Sequence, residues 1–126
     1  MNLEKLDRVF SKWVRLRDAN EAGYCTCCFC EKPVKWTDAE ACHFVDRRHL
    51  STRFHEKNVH AGHILCNREN DLGEYANFLR QKYGDGVPQE LAMLHRQVLK
   101  LSQKDVQYLE NKYLELIRLE QKAKGL

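Results

Sequence analysis

Residues 24–30 read YCTCCFC and residues 63–66 read HILC, and the pairing of these two stretches governs how the rest of the chain is read. Two cysteines three positions apart on a tight turn can both reach one tetrahedral ion. Cys27-x-x-Cys30 has that spacing, and His63-x-x-Cys66 supplies a second pair. Together they make a Cys3His set with every coordination position filled, which is the pattern of a structural zinc site. Cys25-x-x-Cys28 has the same spacing, so spacing alone leaves the register of the first pair open. Six cysteines stand at 25, 27, 28, 30, 42 and 66. Crowding of this kind in a cytosolic chain argues for metal rather than disulfides. Free cysteines also serve as small core residues, but that leaves a run of adjacent thiols without a purpose. An irregular segment buries little apolar surface, and ligation can supply its folding free energy.

The frame around this knot is ordinary. The chain has 126 residues, one domain's worth, expected to fold as a unit over 1–126. It is 43% hydrophobic and 31% charged, which argues against wholesale disorder. No apolar run is long enough to cross a bilayer, so no membrane role is expected. The opening MNLEKLDRVF is amphipathic and charged, unlike a signal peptide, and a cytoplasmic location is expected. A net charge of +3 permits a nucleic-acid partner without demonstrating one.

Periodicity predicts helices at both ends. Leu3, Leu6, Phe10 and Trp13 recur at intervals of three and four, giving an N-terminal helix within 1–20. From residue 23 the pattern breaks, and 23–84 is the chemistry-bearing core. Ala41 to Val45 reads as a short strand, and a second extended piece runs through Lys57 to His60. Leu72, Tyr75, Phe78, Leu79 and Tyr83 form a helical stripe that stops at Gly84. Pro88 can open a helix carrying Leu91, Leu94 and Val98. Ser102 and Asp105 resemble a capping box before Val106, Leu109, Tyr113 and Leu116, so helices fill 88–123. The fold class is α+β and mostly helical. Its centre is expected to be a zinc-stabilised ββα-like unit, flanked by N-terminal and C-terminal helices.

Between the two cysteine pairs lie His43, on the predicted strand, and Asn58, with Asn67 directly after Cys66. This order, wrapped by a zinc knuckle, is similar to that of HNH or ββα-metal nucleases. The residue types suit phosphodiester hydrolysis, which needs a base for water and a divalent ion for the departing oxyanion. A neutral histidine serves the first need. Asparagine and carboxylate oxygens serve Mg²⁺ or Mn²⁺. The bases Arg47, Arg48 and Arg53 flank the strand and loop as candidate phosphate contacts.

Four stretches carry a closer resemblance: KLDRVFSKWVRLRDA, GYCTCCFC, HLSTRF and EKNVHA. They resemble the phage recombination family called NinG or Rap, over almost the whole chain. The resemblance implies a phage or prophage protein working in a bacterial host. It implies a metal-dependent endonuclease on branched DNA such as Holliday junctions and D-loops. Position by position, it implies that Cys27, Cys30 and Cys66 ligate zinc and that His43 activates water. Asn58 matches the central Asn, Asn67 a catalytic-metal ligand, and Glu40 an acidic position that assists the metal. The chain departs from the family pattern in four places. Cys42 replaces a usual Gly, and His63 replaces a usual Cys. His55 stands where an acid or Asn is usual, and Asn70 to Glu74 replaces a Ser-Gly-Asn stretch. The alternative function is a catalytically weakened, zinc-stabilised DNA-binding or recombination accessory module. The two are separated by whether Asn67 and a carboxylate converge beside His43, or Cys42 fills that space. Two incisions at a junction make a homodimer attractive, with the Leu109, Tyr113 and Leu116 stripe as one route and packing on the first helix as that stripe's other role.

Overall fold

Leu6, Phe10 and Trp13 fall on one face of α1 (Glu4–Asp18), and the computed structural model, which describes residues 2–126, buries all three. Glu4 and Asp7 in the first turn and Arg15 and Arg17 in the last complement the helix dipole. The buried face meets α6 (Gln103–Lys124), the longest helix, along Val106, Tyr113 and Ile117. Phe10 and Trp13 stack on Tyr113 with ring centroids 4.8 and 4.9 Å apart. Leu109 and Leu116 pack against the same cluster. The stripe considered for dimerisation is therefore spent on α1.

The start of α6 is the capping box expected there. Ser102 Oγ accepts from the Asp105 amide, and the Asp105 carboxylate accepts from the Ser102 amide. At the other end, Lys124 Nζ donates to the Leu16 and Arg17 carbonyls, closing the open end of α1.

The centre holds two antiparallel strand pairs. β1 (Tyr24–Thr26) pairs with β2 (Pro33–Lys35), a hairpin that periodicity did not predict because each strand is three residues long. β3 (Glu40–His43) pairs with β4 (Val59–Gly62), placing Cys42 opposite His60 and His43 opposite Val59. Both strands had been expected, β4 two residues earlier. The one-turn α2 (Leu50–Arg53) lies in the connection, and α3 (Ile64–Glu69) follows β4 at once. α4 (Leu72–Tyr83) and α5 (Val87–Leu94) cover the far side, burying Tyr75, Leu79, Val87 and Leu91 with Phe29 and Cys42. Gly84 ends α4 at φ +115°, where a side chain would be strained, as its position after the stripe had predicted. The 70–74 departure has a local explanation. Asn70 closes α3 in the left-handed region, and the Asp71 side chain accepts from the Glu74 amide to open α4.

α1 is the spine of the arrangement, with α6 on one side and β3–β4 on the other. Its last turn is stitched to β4. Asp18 accepts from the Ala61 amide at 2.9 Å, and Arg17 donates to the Val59 carbonyl at 2.7 Å.

Gly62 sits where three thiols crowd the backbone. A Cβ there would lie 2.9 Å from Cys42 Sγ and 3.2 Å from Cys28 Sγ, inside normal contact. Gly62→Ala should cost about 1–3 kcal/mol, the usual range for overpacking. In a Cys42→Ala background the nearest clash is gone, and the added cost should shrink. Denaturant unfolding of the four proteins in this cycle reads the coupling. Equal costs in both backgrounds would show that Cys42 is not what excludes a side chain.

Candidate metal centre and active-site cleft

The sulfurs of Cys27, Cys30 and Cys66 lie within 4.8 Å of one another and could hold a metal ion. The β1–β2 hairpin turn brings the first two, and α3 brings the third within its first turn. This resolves the register in favour of Cys27 and Cys30. The donor set fits a thiophilic ion, because a tetrahedral Zn–S bond of about 2.3 Å places sulfurs about 3.8 Å apart. Electrostatics agrees. Burial, then the neighbouring Cys27 and Cys30, pushes the Cys66 thiol up to about 12. Three thiolates this close repel unless a cation sits among them. Burial also opposes ionisation of Cys27, yet the amides of His63, Phe29 and Cys30 hold it below the usual thiol value.

His63 departs from expectation. Among the described residues the cluster comprises the three sulfurs, and the His63 ring stays outside it. Its backbone amide instead donates to Cys27 Sγ at 3.3 Å. The side chain still lines the same groove as Cys30 and Cys66, beside the exposed Ile64 and Leu65.

The other three cysteines are buried thiols that donate to carbonyls. Cys25 bonds Arg15 O, Cys28 bonds His60 O and Cys42 bonds Glu40 O. Burial pushes Cys25 up to about 12 and Cys28 higher still. Cys42 points into the buried cluster with Phe29, Tyr75 and Leu79, away from the face His43 uses. Opposite it, His60 is fully buried and bonded at both nitrogens, to the Tyr75 and Tyr83 hydroxyls. Burial, then the nearby Arg17, lowers its pKa to about 3, so it is a neutral structural residue.

On the other side of β3 lies an open cleft of about 720 Å³, with Glu40, His43 and Asn67 in its lining. Asn67 Nδ2 donates to Glu40 Oε1 at 3.2 Å, joining α3 to the start of β3. His43 Nε2 lies 3.0 Å from the Arg53 carbonyl. A carbonyl only accepts, so Nε2 carries the proton and Nδ1 keeps a lone pair. Burial is the main force lowering the His43 pKa, reinforced by Arg47 and Arg53 and opposed by the Arg53 carbonyl and Asp7. His43 is therefore neutral at pH 7. Asp7, Arg15, Asp46 and Arg47 complete a lining of both charges.

Two expected site residues lie outside this cleft's chemistry. Asn58 is completely buried, with its amide spent on backbone: Oδ1 accepts from Val45 N, and Nδ2 donates to Val45 O and Thr52 O. It ties the two ends of the β3–α2 loop and leaves the imidazole to the Arg53 carbonyl. Arg53 is no free phosphate contact, because its guanidinium pairs bidentately with Asp7 and has a side chain 20% exposed. Arg47 and Arg48 do remain exposed, Arg48 bonded to Asp46. His55 sits in a separate hollow with Phe54, Tyr83 and Tyr113. Asp7 was missed by sequence reading. Its signal is only that of an ordinary first-turn acid.

A cysteine cluster that could hold a metal ion, set beside a strand pair and a polar histidine-bearing cleft, characterises a small mixed α+β protein. The chain belongs to the NinG family, described as bacteriophage lambda NinG protein, whose profile matches residues 2–123. Membership suggests a phage recombination-related role. Neither a curated protein nor a solved structure matches the chain. Among the described residues, no helix is long and apolar enough to cross a membrane.

Three variants separate the roles assigned here. Cys66→Ser should strip the bound metal found by elemental analysis, whereas Cys25→Ser should leave the metal content unchanged. Asn58→Ala should lower unfolding free energy by on the order of 3 kcal/mol, because it leaves one buried and two part-buried backbone groups without their partner. A fully stable Asn58→Ala protein lacking only activity would return Asn58 to the catalytic set.

Proposed function

We propose that the protein is a metal-dependent endonuclease of the HNH kind, cleaving branched recombination intermediates such as Holliday junctions and D-loops. The observation that carries this reading is the meeting of Glu40, His43 and Asn67 on one open cleft while Cys42 turns the other way. The family resemblance supplies the substrate class, and β3, β4 and α3 come in a ββα order, with the one-turn α2 in the connection between the strands.

His43 supplies the base. With Nε2–H held by the Arg53 carbonyl, Nδ1 faces its task unprotonated and can take a proton from water. Hard oxygens are at hand for Mg²⁺ or Mn²⁺, the Glu40 carboxylate and Asn67 Oδ1, since the Asn67 amide nitrogen is already turned to Glu40. A divalent cation held there supplies charge stabilisation for the phosphate and the leaving oxygen. Arg47 on the rim is the base best placed for a phosphate, with a side chain 62% exposed. Arg48 can join it by giving up an exposed pair with Asp46, which is worth little. The three-sulfur cluster takes zinc in a structural role, with His63 the nearest candidate for the fourth position after a side-chain rotation.

Pure protein incubated with a four-way junction and Mg²⁺ or Mn²⁺ tests the reading. His43→Ala should reduce cleavage by about a hundredfold or more, with zinc content and junction binding retained. Burial lowers the His43 pKa below 6.5. The unprotonated form therefore predominates at and above neutrality, and cleavage should fall as the pH drops through that depressed value. Binding without cleavage under every divalent ion would favour the accessory-module alternative.

A further inference from the structure

The His43 imidazole takes its orientation from a backbone carbonyl, and that carbonyl belongs to a residue fastened elsewhere. Arg53 closes α2, a helix of one turn that cannot hold itself in water. One of the groups that hold it is the Arg53 side chain. Nε reaches Asp7 Oδ1 at 3.0 Å and Nη2 reaches Asp7 Oδ2 at 2.5 Å, two parallel bonds to one carboxylate. The remaining arm, Nη1, reaches the Arg47 carbonyl at 3.4 Å, so one guanidinium spans the loop from residue 47 to 53. Both partners are about four-fifths covered. A planar fork on a carboxylate fixes direction as well as distance. Asn58 grips the same loop from the inside through Val45 and Thr52. Asp7 is the anchor from outside, standing on α1 a full 46 residues away in the chain.

We propose that Asp7 is a positioning residue for His43, acting through the Arg53 fork to fix the carbonyl that selects the imidazole's tautomer and aim. This rests on the reading of His43 as the base. Asp7 lines the same cleft as Glu40, yet the two differ in use. Both Asp7 oxygens already accept from Arg53, and Arg47 Nη1 stands 3.8 Å from Oδ2, so the carboxylate is committed to guanidinium partners rather than to a cation. Without the carboxylate the guanidinium loses its direction, and the Arg53 carbonyl is no longer held at one place. The imidazole can then turn or exchange its proton between nitrogens. A base whose lone pair is on the wrong nitrogen cannot accept the water's proton, however intact the rest of the site.

The test reads the ring directly. ¹⁵N NMR of the imidazoles at a pH where His43 is neutral, on metal-loaded protein without DNA, reports which nitrogen carries the proton. Wild type should show His43 as a single tautomer protonated at Nε2. Asp7→Asn should show averaged nitrogens, a kcat on the order of tenfold lower with KM for the junction little changed, and unaltered Mg²⁺ affinity. Asp7→Glu, which keeps the carboxylate, should recover most of the single tautomer. If Asp7→Asn does not fold, Arg53→Lys decides the matter, because it keeps the charge and removes the fork. A single Nε2–H tautomer in Asp7→Asn, or in Arg53→Lys where that variant decides, would overturn the proposal and leave Asp7 a structural ion pair. Weakened Mg²⁺ binding in Asp7→Asn would also overturn it, by making Asp7 a ligand. The NMR result stands whether or not the protein cleaves DNA, so failure of this inference and failure of the nuclease reading are distinguishable.

Discussion

Three sulfurs from two distant stretches must meet at one point, and most of the central architecture follows from that requirement. Cys27 and Cys30 come from a hairpin turn, and Cys66 comes from a helix that starts only after β4 has run its course. Bringing them together closes a loop of chain at an entropic cost that grows slowly with its length. The strands involved are three or four residues long and offer little of their own in return. A cation among three sulfurs offsets both the loop closure and the repulsion of crowded thiolates. Gly62 shows how tight this packing is, since no side chain fits between its backbone and the thiols of Cys42 and Cys28.

α1 gives this small centre something rigid to rest on. Its apolar face is buried under α6, and its polar residues reach the other way. Arg17 and Asp18 take backbone groups of β4, and Asp7 takes Arg53. An edge strand left with open amides and carbonyls is a liability, and here the last turn of a helix answers two of them. The same helix therefore sets the position of the strand pair and of the loop beside His43.

The cleft and the cysteine cluster draw on neighbouring residues of α3, Asn67 for one and Cys66 for the other, with different chemistry in each. Sulfur gathers in the cluster, where burial raises thiol pKa values and only a thiophilic ion relieves the crowding. Oxygen and imidazole gather in an open cleft lined by Glu40, His43 and Asn67, the hard donors that the proposed nuclease chemistry would use. Cys42 belongs with the sulfurs although it adjoins His43 in sequence, because neighbours on a strand face opposite ways.

The residues alone determined what local physics controls. The stripes of α1, α4 and α6, the capping box at Ser102, the stop at Gly84 and the strand through His43 each depend on signals within a turn or two of chain. The cysteine spacing likewise pointed to a knot that could hold a metal, and the family resemblance singled out Glu40, His43 and Asn67, which the fold brings to one cleft. The fold had to decide the rest, where the outcome depends on which distant groups arrive nearby. Spacing could not choose Cys27 and Cys30 over Cys25 and Cys28, because both pairs fit a turn and only the approach of Cys66 separates them. Composition made Arg53 look like a phosphate contact, but a guanidinium is free only if no carboxylate meets it, and Asp7 does. Asn58 looked like a partner for the imidazole, yet the loop folded back and spent its amide on Val45 and Thr52. Charge and hydrogen-bonding capacity are written in the sequence, but which partner satisfies them is a tertiary fact.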